Sequence, residues 1–148
     1  ATLRSLTDAQ RADLLRSLAN HFSANAGNVL AANQLDLDAV PDSDPKKDRL
    51  RLTEERIADL ADSLRAVAAL PDPAGQTLVE REISPGLHLE KRAVPLGVVG
   101  VIYESRPNVT VDVAALCLRS ANACVLRGGK EADHSNRALV GLIHDVLR

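Results

Sequence analysis

Two short apolar runs, 98–103 and 123–126, enclose a helical stretch in the last third of the chain, and this spacing constrains the fold most. Neither run alternates polar with apolar residues, so each reads as a strand buried on both faces, the parallel-sheet type. The segment between them predicts a helix over 110–121 with Asp112 in its first turn. A second helix, 135–147, puts Ala138, Leu139, Leu142, Ile143, Val146 and Leu147 on one face. Strand, helix, strand, helix at this spacing opens a right-handed parallel sheet, so the fold class is α/β. Two parallel strands cannot cover both faces and both edges alone. The expectation is a sequence cut off in mid-fold. No methionine occurs, even at position 1, which predicts that residues have also been removed from the front.

The preceding residues carry other periods. Thr7 and Gln10 have capping-box spacing, and Leu14, Leu18 and Phe22, with Leu15 and Ala19, form one helical stripe ending near Gly27. A second helix over 28–39 carries Val29, Ala32 and Leu35. Residues 41–45 form a loop by their proline and aspartate content. Thr53 is a candidate N-cap, with Glu54 and Glu55 where the helix dipole favours negative charge. Ile57, Leu60, Ala61, Leu64, Val67 and Ala68 follow at helical spacing until Pro71 and Pro73 end the helix. Strands at 77–84 and 87–94 about Pro85-Gly86 make a hairpin. Alone it is marginal, so it is expected to lean on another part of the molecule or on another subunit.

Phe22 and Tyr103 are the only aromatic residues among 148. The core must therefore be built from Leu, Ala and Val, which favours close helix contacts. At 45% hydrophobic and 26% charged residues, disorder is not expected. A net charge of −2, with no basic stripe and no aromatic platform, disfavours nucleic-acid binding. No apolar run reaches the ~20 residues that span a bilayer, and Lys46-Lys47 is too short a cluster to attract a membrane surface. Residues 1–10 do not read as a signal peptide. Cys117 and Cys124 read as small buried thiols in a reducing compartment, since apolar burial raises a thiol pKa and no histidine neighbours either. His21, His88, His134 and His144 are scattered, so no metal is expected.

Neither a G-x-G-x-x-G fingerprint nor a Walker loop is present; Gly97 and Gly100 precede the strand core, and Glu131 occupies the Ser/Thr place after Gly129-Lys130. Two loops remain, both at carboxyl ends of predicted strands, where α/β sheets bind ligands. Glu104, Ser105, Arg106, Pro107 and Asn108 bring an acid, a hydroxyl, a guanidinium and an amide before a helix. They suit an anion site, or equally a solvated connection with Asn108 or Thr110 as N-cap. Arg127, Gly128, Gly129, Lys130 and Glu131 offer close backbone approach, charge for phosphate and an acceptor for a ribose hydroxyl. The same residues also fit a tight turn bearing surface charges.

At these loops the sequence resembles a known family. PLGVVGVIYESRPNVTVDVAALCLRSANACVLRGGKEADHSN (95–136) is similar to the signature region of the γ-glutamyl phosphate reductases, also called glutamate-5-semialdehyde dehydrogenases, of the aldehyde dehydrogenase superfamily. DRLRLTEERIADLADSLRAVAALPDP (48–73) extends the resemblance, and NVLAANQLDLDAV (28–40) fits more faintly. One departure is Ala121, where the family more often has glycine. Another is length, because family members are well over twice as long and no position here matches their catalytic cysteine.

The resemblance implies an aldehyde-dehydrogenase-like N-terminal portion: a helical segment over 1–73, a hairpin oligomerisation arm over 74–95, and over 96–148 the first βαβα part of an NADP-binding domain, with the C-terminal catalytic domain absent. It implies reduction of γ-glutamyl phosphate by NADPH to glutamate 5-semialdehyde and phosphate, in proline biosynthesis, through a thioester on a cysteine outside this chain. The chain alone is then inactive. By the same resemblance Ser105 falls where relatives place an oxyanion-stabilising amide, with Arg106 and Asn108 beside substrate or nicotinamide. Arg127 takes the place of a ribose-contacting lysine, followed by Gly128, Gly129, Lys130 and Glu131. Charge at Arg127 and Lys130 suits NADP over NAD. A cytoplasmic homo-oligomer, with glutamate 5-kinase as a partner, is implied too. The alternatives are a non-catalytic assembly or cofactor-binding module and another semialdehyde or acyl-phosphate dehydrogenase.

Overall fold

A computed structural model describes residues 3–148; the first two residues of the stretch read as no signal peptide lie outside it. Helix α1 (Asp8–Ala24) starts at the predicted capping box: Gln10 N–H donates to Thr7 Oγ1 (3.2 Å) and Thr7 N–H to Gln10 Oε1 (2.8 Å). It ends at Asn25, two residues before Gly27, because the Asn25 side chain and N–H both bond the carbonyl of His21. Helix α2 (Ala26–Asp38) follows at once, and after the loop comes a short helix α3 (Lys47–Leu50). Helix α4 (Glu54–Ala69) has Thr53 as its N-cap and buries Ile57, Leu60, Ala61, Leu64 and Ala68, as its period predicts.

The apolar faces of α1 and α4 meet those of the last two helices, α5 (Pro107–Arg119) and α6 (Asp133–Leu147), in one core. Leu15, Phe22, Ile57, Leu64, Val111 and Leu139 lie at its centre. Buried arginines tie its rim. Arg11 pairs with Asp72, while Arg119 pairs with Asp8 and donates to the Leu70 carbonyl.

Helix α2 departs from the expected pattern. Leu35 is exposed, and the buried face is Val29, Asn33, Asp36 and Leu37. The polar pair is buried because it carries tertiary hydrogen bonds. Asn33 donates to the Leu50 carbonyl (2.8 Å) and Ser135 Oγ (2.9 Å), and its Oδ1 accepts from Leu52 N–H (2.8 Å). The Asp36 carboxylate accepts from His134 N–H (3.1 Å), Ser135 N–H (2.7 Å) and Ser135 Oγ (2.6 Å). It thus caps α6 from another helix, since α6 has no side-chain cap of its own.

Strands β1 (Thr77–Ser84) and β2 (Leu87–Arg92) form the predicted antiparallel hairpin, closed at Gly86 with φ +80° as a Pro-Gly turn requires. Every hairpin residue is exposed, so nothing among the described residues covers it. Strands β3 (Val98–Ile102) and β4 (Ala123–Arg127) pair in parallel, from Val98 beside Ala123 to Ile102 beside Arg127. Burial on both faces is not observed. Val99, Val101, Cys124 and Leu126 are half-buried, whereas the alternating Val98, Ile102 and Val125 are exposed, Ile102 at 84%. The helices cover one face of this two-stranded sheet and no described residue covers the other.

Helix α5 ends in a turn that bears on the resemblance. Ala121 has φ +58°, the left-handed region that favours glycine. Its N–H donates to the Leu118 carbonyl (3.2 Å), and that of Asn122 to Cys117 (2.8 Å), the bonding pattern of a Schellman cap. The alanine therefore stands at a position shaped for glycine.

Candidate functional site

The parallel register carries both strands to one end of the sheet, where Tyr103 N–H donates to the Arg127 carbonyl (3.0 Å) just before the chains diverge. Residues 104–106 form the first loop. Helix α5 starts at Pro107, three residues before the predicted helix start, because proline at the first helical position has φ already set and no N–H to satisfy. Asn108 and Thr110 are therefore inside the helix and neither is its N-cap. Asp112 lies in the second turn, where Asn108 Nδ2 donates to its carboxylate at 3.4 Å. Burial pushes the Asp112 carboxyl above the usual range, only partly opposed by that bond.

The second loop, Gly128 and Gly129, turns into a 3₁₀ segment, Lys130–Ala132, and then α6. It touches the first loop directly: Ser105 Oγ donates to Glu131 Oε2 (2.8 Å). The backbone N–H of Glu131 and the Ser105 hydroxyl hold this exposed carboxyl below its ordinary value, so it is ionised near neutrality.

The glycines are explained by crowding between elements. A Cβ at Gly129 would lie 2.7 Å from Ser105 Oγ and 3.2 Å from Ser105 N. One at Gly128 would lie 2.4 Å from Asn136 Nδ2 and 3.0 Å from the Tyr103 ring. Asn136 is fixed in turn, since Thr110 Oγ1 donates to its Oδ1 (2.7 Å). Thr110 has one proton to give, so Tyr103, 2.6 Å away, donates to Thr110. This chain locks β3, α5 and α6 around the glycine loop.

Three clefts open around the loops. One of about 520 Å³ is lined by Arg127, Gly128, Gly129, Lys130 and Tyr103, with Asp133, Asn136, Arg137 and His144 of α6. A smaller one, about 300 Å³, lies among Lys46, Arg49, Glu104, Ser105, Arg106, Gly129 and Glu131. A third, about 470 Å³, runs between α4 and α5 and is lined by Arg106, Asn108 and Asp112 with residues of α3 and α4. The structure thus brings the two loops together, but Arg106 and Arg127 line different clefts. The small cleft, which Arg106 also lines, meets the Arg127 cleft at Gly129.

Sequence reading missed Arg137, His144 and Asp112. Arg137 and His144 are seven apart, which is same-face helical spacing, and Asn108–Asp112 is an i, i+4 pair; both signals were present. Cys117 is buried and Cys124 half-buried on the helix-covered face of β4. Burial raises both thiols, Cys124 to about 11, so neither is a ready nucleophile near neutrality. Among the described residues no group of three or more His, Cys, Asp or Glu could hold a metal ion, and no helix is long and apolar enough to cross a membrane.

A helical layer, a projecting hairpin and parallel strands with loops converging at their carboxyl ends define an α/β protein whose candidate site lies at the strand ends. Sequence and fold then relate it, over nearly all its residues, to one family in particular, the γ-glutamyl phosphate reductases. The chain is 52% identical over 145 residues to the γ-glutamyl phosphate reductase of Chlorobium phaeobacteroides, covering 98% of this chain and 35% of that protein. The enzyme so named from Bacteroides fragilis is 47% identical over 146 residues, with 99% and 35% covered. The crystal structure of γ-glutamyl phosphate reductase from Thermotoga maritima matches with a TM-score of 0.92 at 35% identity, over 98% of this chain and 36% of that one. The structure from Saccharomyces cerevisiae matches with a TM-score of 0.92 at 32% identity, over 99% and 38%. No protein-family model matches. The chain spans about a third of the length of these relatives.

Proposed function

We propose that these residues form part of an NADPH-dependent reductase that converts γ-glutamyl phosphate to glutamate 5-semialdehyde and phosphate, a step of proline biosynthesis. The observation that carries the cofactor assignment is the cleft at the end of β4. It sets Arg127, Lys130 and Arg137 against one acid, Asp133, and that balance attracts a phosphorylated dinucleotide. The donor set fits the extra phosphate of NADP, and the nicotinamide would supply two electrons and a proton equivalent to the acyl group.

Arg127 and Lys130 pair with phosphate, while Gly128 and Gly129 keep the loop narrow enough to reach Ser105 and Asn136. Glu131, ionised, accepts from a ribose hydroxyl through the oxygen that Ser105 does not use. Ser105 has a single hydroxyl proton, so it can serve an oxyanion only by releasing Glu131. Arg106 and Asn108 act on the substrate side. The raised thiols of Cys117 and Cys124 support a nucleophilic cysteine elsewhere in the complete protein, with this piece inactive by itself. The projecting, wholly exposed hairpin suits a homo-oligomerisation arm, and we place the enzyme in the cytoplasm, where glutamate 5-kinase could supply the labile acyl phosphate.

The test is NADPH titration of the complete protein, followed by nucleotide fluorescence, for the parent and Arg127→Ala. Loss of a charge-assisted bond worth about 1.5–3 kcal/mol predicts roughly ten- to hundredfold weaker binding. An unchanged Kd removes Arg127 from the cofactor site.

A further inference from the structure

The cleft between α4 and α5 differs in charge from the cofactor cleft. It sets Arg49, Arg56 and Arg106 against Asp48, Asp59 and Asp112. Most of these charges are already engaged or solvated. Arg49 lies 3.7 Å from Glu104, Arg56 lies 3.9 Å from Asp48 and also donates to the Asp48 and Arg51 carbonyls, and Asp59 is exposed.

Two charges remain. The Arg106 guanidinium, although exposed, has no acid partner among the described residues and opens into the cleft. Asp112 is half-buried with only the long 3.4 Å bond from Asn108 and no cation partner. Burial costs its carboxylate solvation that the Asn108 bond returns only in part, so a bound cation would be favoured there. Arg106 enters the same cleft from the residue before α5 and Asp112 from its second turn. Beside the solvated Asp59, the cleft therefore presents one unpaired cation and one half-buried, under-compensated anion. A phosphate would use the first and be repelled by the second; an apolar group would use neither. A zwitterion uses both.

We infer that this cleft binds the α-amino-acid head of the substrate, with Arg106 pairing the α-carboxylate and Asp112, steadied by Asn108, pairing the α-ammonium. This rests on the reductase reading and adds to it the residues that select an amino acid over a plain aldehyde or acyl phosphate. The nucleotide cleft and the amino-acid cleft are then joined through the small cleft, which shares Gly129 with the first and Arg106 with the second.

The test runs the complete enzyme in the oxidative direction with NADP and phosphate on three aldehydes: glutamate 5-semialdehyde, 5-oxopentanoate, which lacks the α-ammonium, and 4-aminobutanal, which lacks the α-carboxylate. Asp112→Asn should raise KM at least tenfold for glutamate 5-semialdehyde and for 4-aminobutanal, and change it less than twofold for 5-oxopentanoate. Arg106→Gln should raise KM for the two carboxylate-bearing aldehydes and spare 4-aminobutanal. If Asp112→Asn does not fold, the Arg106→Gln pattern decides. Equal penalties on all three aldehydes overturn the assignment. Failure of the parent enzyme to oxidise glutamate 5-semialdehyde at all instead overturns the reductase reading.

Discussion

Replacing Asp36 with alanine should destabilise the fold more than any exposed carboxylate would. Asp36 is 3% exposed, and its carboxylate is the acceptor for Ser135 N–H, Ser135 Oγ and His134 N–H. His134 is exposed, so its N–H can turn to water at little cost. Ser135 is fully buried, and its N–H and hydroxyl proton would lose their acceptor outright. At about 1–3 kcal/mol for each buried orphan, with charge-assisted bonds at the upper end, the loss is about 3–5 kcal/mol. Asp36→Asn keeps one acceptor oxygen and should lose about half as much. Urea unfolding followed by far-ultraviolet circular dichroism measures both, with the midpoint falling at constant m. Asn136, one residue beyond Ser135, braces the glycine loop, so NADPH affinity of the complete protein should fall with it. A loss below about 1 kcal/mol for Asp36→Ala, at unchanged m, would falsify the claim that this carboxylate caps α6.

Two further outcomes follow from the site geometry. Gly128→Ala forces a methyl to 2.4 Å from Asn136 Nδ2, which Thr110 holds in place; a destabilisation of about 1–3 kcal/mol is expected in thermal melts, and a stability equal to the parent's refutes the packing. Cys124, with its pKa near 11 against 9.0 for an unperturbed thiol, should alkylate about a hundredfold more slowly than a model thiol at pH 8. Its rate should rise about tenfold per pH unit up to pH 10, because the thiolate fraction sets it, and a rate levelling off near pH 9 refutes the shift.

Helices α1 and α4 were legible because their apolar residues recur at helical spacing behind a recognisable cap, and periodicity reports the face that is buried. The same rule failed in α2 for a physical reason. Its inward face is half polar, and Asn33 and Asp36 are buried only because Leu50, Leu52 and Ser135 offer them partners from distant sequence. A local pattern cannot register such partners. The strands show the converse error. An unbroken apolar run records that two faces tolerate burial, and only one is covered by the described residues. At the site, both loops were legible from composition at strand ends. Asp112 was not singled out, because its importance comes from α4 packing across α5, and α4 lies some fifty residues earlier in the chain.

The separation of Arg106 from Arg127 changes what the loops can do together. A single cradle would gather all their positive charge on one ligand and would explain neither Asp112 nor the balanced cleft around it. The cleft at the end of β4 carries an excess of cations and the α4–α5 cleft a balanced set, and the small cleft joins them, sharing Gly129 with the first and Arg106 with the second. That small cleft holds the Ser105–Glu131 bond, which can stand there only because Gly129 carries no side chain. A hydroxyl there with one proton to give couples the two loops. While the Ser105 hydroxyl donates to Glu131 the loops are latched, and a ligand oxygen that accepts that hydrogen bond instead leaves Glu131 free to bond elsewhere. The glycine and the serine are thus one device, since a side chain at position 129 would press on both Ser105 Oγ and Glu131 Oε2 and break the bond between them.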